Sequence, residues 1–333
     1  MIVITGATGH IGNVLVRELV SRGKQVKVVI PPLEDTTPLD GLKVERVEGD
    51  VLRIDSLMQA FNESDIVYHL AGMISILPGK NELLHQINVI GTQNVVEACL
   101  KTGVPRLVYT SSIHAIEEPP HGTAIDETCP YAPDNVLGEY AKCKARATLE
   151  VFKGVEQGLD AVIVCPTGVI GPYDYKISEM GQLILDFAQG KLKAYIDGAY
   201  DFVDVRDVVT GLILACEKGH KGESYILSGG QITIRNLLLM LEELACVKAP
   251  SFKIPAWLAR TAGKITPLYH RLTNTKPLFT TYSVDVLASN SLISSQKAHR
   301  ELGYSARSTR ESIADALSWF KETDRLQLAK TKA

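Results

Sequence analysis

The chain has almost no net charge, few cysteines and no long hydrophobic run, and each shortage argues against a class of function. Its 333 residues carry 35 Lys and Arg against 38 Asp and Glu, a formal net charge of −3. Such a balance gives no basic field to attract nucleic acid or an acidic membrane surface. Six cysteines are present: Cys99, Cys129, Cys143, Cys165, Cys216 and Cys246. None form a C-x-x-C pair and no histidine cluster accompanies them. A disulfide framework and a metal site are therefore not expected, and a reduced, cytoplasmic protein is. The apolar start at Met1 to Ile4 is cut by Thr5-Gly6, far short of a signal-peptide core. Nothing approaches the roughly 20 apolar residues of a bilayer span. Asn236 to Ala245 is apolar on one side only and reads as a surface helix. No internal repeat or low-complexity segment is visible.

What is present is a strand–helix beat. Ile2 to Ile4, Val26 to Ile30, Lys43 to Glu48, Ile66 to Leu70, Arg106 to Thr110 and Ala161 to Cys165 read as strands. Helical patterns fall between them at Gly12 to Gly23, Ser56 to Phe61, Thr92 to Thr102 and about Leu137 to Glu156. Continuous apolar strands separated by helices predict an α/β fold, a doubly wound parallel sheet covered on both faces. Phe202 to Val205 and Ser224 to Leu227 read as short strands returning to that sheet. Gly168 to Ala199 and Pro250 to Thr281 lack the beat and suggest a smaller C-terminal lobe. Ser312 to Glu322 is a final amphipathic helix, and the polar tail after it is expected to fray.

The segment Thr5-Gly6-Ala7-Thr8-Gly9-His10-Ile11-Gly12 follows the first strand and opens the first helix. Gly6 permits a tight turn, Gly9 leaves room for a pyrophosphate at the backbone, and Gly12 lets the helix approach the sheet. A dinucleotide cofactor is the implied ligand. The ribose reader that separates NAD from NADP belongs at the end of the second strand. Ile30 and Pro31 occupy that point and Glu34 and Asp35 lie slightly beyond it, so the choice between NAD and NADP stays open. The expected division is 1–167, with returning segments at about 200–230, for the dinucleotide domain. Residues 168–199 and 231–322 would form the substrate-binding lobe, and 323–333 the frayed tail.

Tyr140 and Lys144 lie one helical turn apart and share a face. A free phenol titrates near ~10. A neighbouring ammonium favours phenolate, which would make Tyr140 a tuned proton donor or acceptor.

With these residues in hand, the chain resembles the extended short-chain dehydrogenase/reductases over nearly its whole length. The family's T-G-x-x-G-x-x-G is matched by Gly6, Gly9 and Gly12. Its adenine-side acid is matched by Asp50, followed by Val51. Its strand-four motif is matched by His69-Leu70-Ala71-Gly72, which would pass beside the cofactor. Its structural and proton-relay asparagine is matched by Asn88, and its catalytic serine by Ser112. Its nicotinamide loop is matched by Pro166-Thr167-Gly168-Val169. The resemblance implies that Ser112 binds the substrate oxygen, Tyr140 passes the proton, and Lys144 tunes Tyr140 and holds the cofactor ribose. Cys143 departs from the small or hydroxyl residue expected there and reads as a buried small apolar residue. His114 is left as a packed or solvated histidine. Some members pair through the helices near 92–102 and 137–156, which allows a homodimer.

Within the family, members that act on sugars carried by nucleotides often place an arginine just before Phe202, where a bidentate group suits a diphosphate. Tyr200 stands there instead, and Arg206 reads as a structural ion pair. The segment therefore looks like the dihydroflavonol reductase and 3β-hydroxysteroid dehydrogenase branch. Met73, Ile74, Ile76, Leu77, Tyr173 and Tyr175 are expected to give an apolar cleft. An oxidoreductase acting on a hydroxyl or carbonyl of an apolar small molecule is expected. A nucleotide-sugar epimerase or dehydratase and a non-enzymatic NAD(P)-sensing module are the rivals.

Overall fold

The computed structural model describes residues 1–75, 81–261 and 281–326. Four short apolar runs form its centre: β1 (Ile2–Thr5), β2 (Val26–Ile30), β4 (Ile66–His69) and β5 (Arg106–Thr110). With β3 (Glu45–Glu48), β6 (Ala161–Pro166) and β10 (Ser224–Leu227) they make one seven-stranded sheet in the order β10-β6-β5-β4-β1-β2-β3. Every pairing in it is parallel.

Strand side chains alternate between faces, and both faces are covered. Ile4, Val28, Val108 and Val164 point into one core beneath α1 (His10–Ser21) and α7 (Val205–Lys218). Val3, Val29, Val67 and Ile163 point into the other. That second core is closed by α2 (Ile54–Phe61), α4 (Gly91–Thr102) and α5 (Glu139–Glu156). The predicted doubly wound sheet is therefore the observed one. The long helix starts at Glu139 rather than Leu137 because Gly138 sits at φ 88°, outside helical space.

One strand departs from expectation. Ser224–Leu227 does join the main sheet, beside β6. Phe202 does not: β9 (Ala199–Asp204) lies in a separate three-stranded sheet between β7 (Gly168–Ile170) and β11 (Gln231–Thr233). The chain leaves the main sheet after Pro166, and β7 offers β9 a fresh edge. Gly229 lets the returning chain close on it, since a Cβ there would stand 2.2 Å from the Phe202 carbonyl oxygen. Val205 opens α7 instead of ending the strand, with the Asp204 carboxylate accepting from the Arg206 N–H at 2.8 Å.

The irregular segments build a third core. Ile184 and Phe187 of α6 (Glu179–Ala188), Leu237 and Leu241 of α8 (Ile234–Ala245), and Ile313, Leu317 and Phe320 of the helix Thr309–Glu322 pack together. This last helix begins three residues before Ser312 because the Ser308 side chain caps the Glu311 N–H. The expected apolar residues Ile76 and Leu77 and most of the expected frayed tail lie outside the described residues. Among the described residues no helix is long and apolar enough to cross a membrane.

Candidate active site

The C-terminal ends of β1, β4, β5 and β6 meet at the point where strand order reverses, which is where open α/β sheets form their ligand crevice. At the end of β1, Gly6 turns the chain at φ +73°. A Cβ on Gly6 would stand 2.5 Å from the Ala71 nitrogen, and one on Gly12 would stand 2.1 Å from the Gly6 carbonyl oxygen. Both glycines are thus demanded by backbone packing. Gly9 differs: a Cβ there would meet only the Gly6 carbonyl oxygen, at 3.3 Å, and otherwise open space. The start of α1 has neither a capping side chain nor an acidic residue in its first turn. Its free N–H groups and positive dipole end therefore face an open, side-chain-free loop, which fits a diphosphate.

The flanks of this cradle are partly committed. His10 Nε2 donates to the Pro172 carbonyl at 2.9 Å. Ile11 packs against the first core. Thr8 Oγ1 donates to Glu34 at 2.6 Å, and Lys176 bonds to both. Asp50 accepts from the Leu52 N–H at 2.9 Å. The Val51 carbonyl accepts from Asn94 at 2.9 Å. A cavity of about 550 Å³ lies beside Asp50 and is also lined by Pro32, Gly49 and Arg53; it holds none of Ser112, Tyr140 or Lys144.

Leu70, Ala71 and Gly72 carry the chain from the cradle to Asn88 and Lys144. The Leu70 N–H bonds to the Thr5 carbonyl at 3.1 Å. A Cβ on Gly72 would stand 3.2 Å from Asn88 Oδ1 and 3.5 Å from Lys144 Nζ. Lys144 is buried, donates to the Thr110 carbonyl at 2.8 Å and lies 5.1 Å from the Tyr109 ring centroid. Burial lowers its ammonium pKa to about 8. Tyr140 lies one turn earlier on α5, with the Ser112 side chain beside its phenol. Helix spacing alone predicts an ammonium that lowers this phenol. Instead desolvation raises it to about 12, and the neighbouring Ser112 side chain, not Lys144, acts downward. Beside Lys144, the Thr110 hydroxyl is buried with no partner among the described residues.

Asn88 sits in a π-helical turn, Gln86–Ile90, a distortion found mostly at functional positions. Both ends of its side chain are engaged: Oδ1 accepts from the Met73 N–H at 2.8 Å and Nδ2 donates to the Met73 carbonyl at 2.9 Å. It thus pins the segment that follows Gly72. Its own carbonyl accepts from Thr92 Oγ1 at 2.7 Å. That bond uses the only Thr92 hydroxyl proton, so His69 Nε2, 3.0 Å from Thr92 Oγ1, must carry a hydrogen. His69 Nδ1 is then bare and accepts from Thr5 Oγ1 at 2.7 Å. Burial, chiefly, and the Lys144 charge lower the His69 pKa to about 3 and keep this bridge neutral.

Pro166 to Val169 run from the last residue of β6 into β7. The Thr167 N–H bonds to the Leu227 carbonyl at 3.1 Å, and Val169 packs on the first core. Gly168 lies under Tyr200, whose ring carbon would stand 2.5 Å from a Cβ there. Tyr200 Oη is 2.6 Å from His114 Nε2, and the His114 ring meets Tyr140 edge-on at 6.5 Å between centroids. The His114 N–H donates to Ser112 Oγ at 3.3 Å. His114 therefore touches two of the three central residues. The sequence held no signal for this, because only the fold brings Tyr200 back to it. Arg206 is an ion pair with Asp204 and Asp315, as expected. Met73 packs with Leu84, Val89, Cys143 and Tyr140, whereas Ile74 is exposed. Tyr173 and Tyr175 do not line this cleft: their rings pack on Arg17 and Trp319.

Fold and cradle together define a dinucleotide-binding α/β protein of the short-chain dehydrogenase/reductase type. The chain belongs to the NAD dependent epimerase/dehydratase family, whose model matches residues 2–228; it is an enzyme, and its cofactor is NAD or NADP. It is 38% identical to sterol demethylase protein B of Methylococcus capsulatus, over 96% of this chain and 98% of that protein. It is 32% identical to a putative dihydroflavonol 4-reductase of a Synechocystis strain, over 96% and 94% of the two chains. The crystal structure of gox2253 superposes with a TM-score of 0.87 at 33% identity, covering 98% of this chain and 99% of that one.

Proposed function

We propose that the protein is an NAD(P)-dependent oxidoreductase that interconverts a hydroxyl and a carbonyl on a fairly apolar small molecule. The observation that carries this is the spacing of the site. Gly6 abuts Ala71, and Gly72 abuts Lys144, so two residues separate the phosphate cradle from the side chains that handle protons. The α1 N-terminus and the Gly9 opening would hold the diphosphate, Asp50 and Val51 would flank the adenine side, and Pro166 to Val169 would flank the nicotinamide side.

When bound, the dinucleotide supplies the hydride chemistry. The His114 N–H on Ser112 Oγ leaves the serine hydroxyl proton to point towards Tyr140 or a substrate oxygen. Tyr140, with its phenol held near 12, is a neutral hydroxyl at physiological pH and is set to donate its proton to a carbonyl oxygen. Lys144 donates one N–H to the Thr110 carbonyl, and its remaining N–H groups would hold ribose hydroxyls. Asn88 serves by fixing Met73 and, through it, the segment beside Lys144.

The half-buried Met73 packed with Tyr140 favours an apolar substrate, as do relatives named for a sterol and for a dihydroflavonol. Tyr200 paired with His114 offers no cation for a diphosphate, which speaks against a nucleotide sugar. In this reading the third core and its small sheets form the substrate lobe. The test is turnover of NADH and NADPH with a panel of apolar ketones and of NAD and NADP with the matching alcohols. Turnover that is lost in Tyr140→Phe supports the assignment. Stabilisation by UDP- or dTDP-sugars, with no redox turnover, would replace it with the sugar reading.

A further inference from the structure

The adenosine corner of the cradle carries a cation delivered from a distant part of the chain. Lys176 lies on a strap, 172–178, that crosses α1. His10 and Asn13 hold the strap by bonds to the carbonyls of Pro172 and Tyr173, at 2.9 and 3.1 Å. Tyr173 and Ile177 sit at φ 67° and 46°, left-handed positions that a β-branched residue such as isoleucine adopts only when its surroundings impose them. So held, the strap aims the Lys176 ammonium back at the glycine-rich loop, where it donates to Thr8 Oγ1 at 3.2 Å and pairs with Glu34.

Glu34 lies just past the end of β2, slightly beyond the point where dinucleotide folds place the ribose reader. Its neighbour Asp35 is spent on the Thr37 N–H and hydroxyl, at 2.9 and 2.6 Å. A lone carboxylate at this corner would repel a 2′-phosphate. Here the carboxylate already shares its place with an ammonium. Two further cations lie at the strap: Arg17 is committed to the Pro38 carbonyl at 2.8 Å and to the Tyr173 ring, and Arg325 to the Tyr175 carbonyl at 2.7 Å.

We propose that Lys176 is a phosphate-reading residue for the adenosine 2′ position, so that the site takes NADP(H) through Lys176 as well as NAD(H) through Glu34. This rests on the dinucleotide reading above. The experiment measures binding alone: fluorescence titration with NADH and NADPH, and calorimetry with AMP and adenosine 2′,5′-bisphosphate, on wild type, Lys176→Ala, Lys176→Arg and Glu34→Gln. Lys176→Ala should weaken NADPH and the bisphosphate about tenfold relative to NADH and AMP, as loss of one charge-assisted phosphate bond implies. Lys176→Arg should restore them, and Glu34→Gln should shift the ratio the other way. An unchanged NADPH-to-NADH ratio in Lys176→Ala, or a wild type that binds NADH but not NADPH, overturns the proposal. A wild type that binds neither dinucleotide sinks the functional reading along with it.

Discussion

Replacing Lys144 by methionine is expected to stabilise the cofactor-free protein while removing its chemistry. The ammonium is buried and its pKa falls from 10.5 to about 8. At pH 7 both folded and unfolded chains are protonated there, so the folded state carries the whole cost of the shift, about 3 kcal/mol at ~1.4 kcal/mol per unit. Methionine has a similar unbranched length and no charge to bury. It forfeits the charge-assisted bond to the Thr110 carbonyl, about 2 kcal/mol. The net gain at pH 7 is therefore about 1 kcal/mol. The sign follows from proton counting: between pH 8 and 10.5 the unfolded chain binds a proton that the folded chain has released, so wild-type stability climbs with pH in that window. The advantage of Lys144→Met should accordingly shrink as pH rises from 8 towards 10. Urea unfolding of both proteins at pH 7 and pH 10 measures this. A methionine variant less stable than wild type at pH 7, or a difference that does not change with pH, would refute the reasoning.

Four further outcomes can be checked on the same protein. Tyr140→Phe should lower kcat by about 10²–10⁴ and leave the Kd for the dinucleotide within about threefold, as stopped-flow turnover and equilibrium titration would show. Gly12→Ala should fail to fold or lose about 3 kcal/mol or more, because its Cβ would collide with a backbone carbonyl. Gly9→Ala should keep a near-native melting temperature while losing about tenfold or more in dinucleotide affinity, since its Cβ would enter the open loop. His69, with its pKa lowered from 6.5 to about 3, should cost about 2 kcal/mol of stability on going from pH 8 to pH 5, because the unfolded chain then takes up a proton that the folded chain refuses. His69→Gln should remove that part of the acid slope in urea titrations.

The central sheet was legible in the sequence because it is buried on both faces. Ile2 to Ile4 and Ala161 to Cys165 are unbroken apolar runs, Val26 to Ile30 is interrupted by Lys27 alone, and the glycine spacing after the first of them belongs to a single local turn. Tyr140 and Lys144 were visible for the same reason, since one helix fixes their separation. The small sheet was not: Ala199–Asp204 is a strand wherever it pairs, and its choice of β7 over the main sheet depends on contacts with Gly168 and Gly229. Residues brought together from far apart were equally hidden. Nothing near His114 announces Tyr200, and nothing near Glu34 announces Lys176. The pKa of Tyr140 was misjudged because helix spacing reveals the neighbouring charge but not the depth of burial.

The row Thr5, His69, Thr92, Asn88 has a further consequence. Each hydrogen in it has one assignment: threonine hydroxyl to imidazole, imidazole to threonine, threonine to backbone carbonyl. Reversing any single bond would leave two donors or two acceptors facing each other in the interior. The four residues therefore act as one stiff brace between the floor of the glycine turn and the π-helical turn that holds Met73, so any displacement of Thr5 should be felt at the wall beside Tyr140.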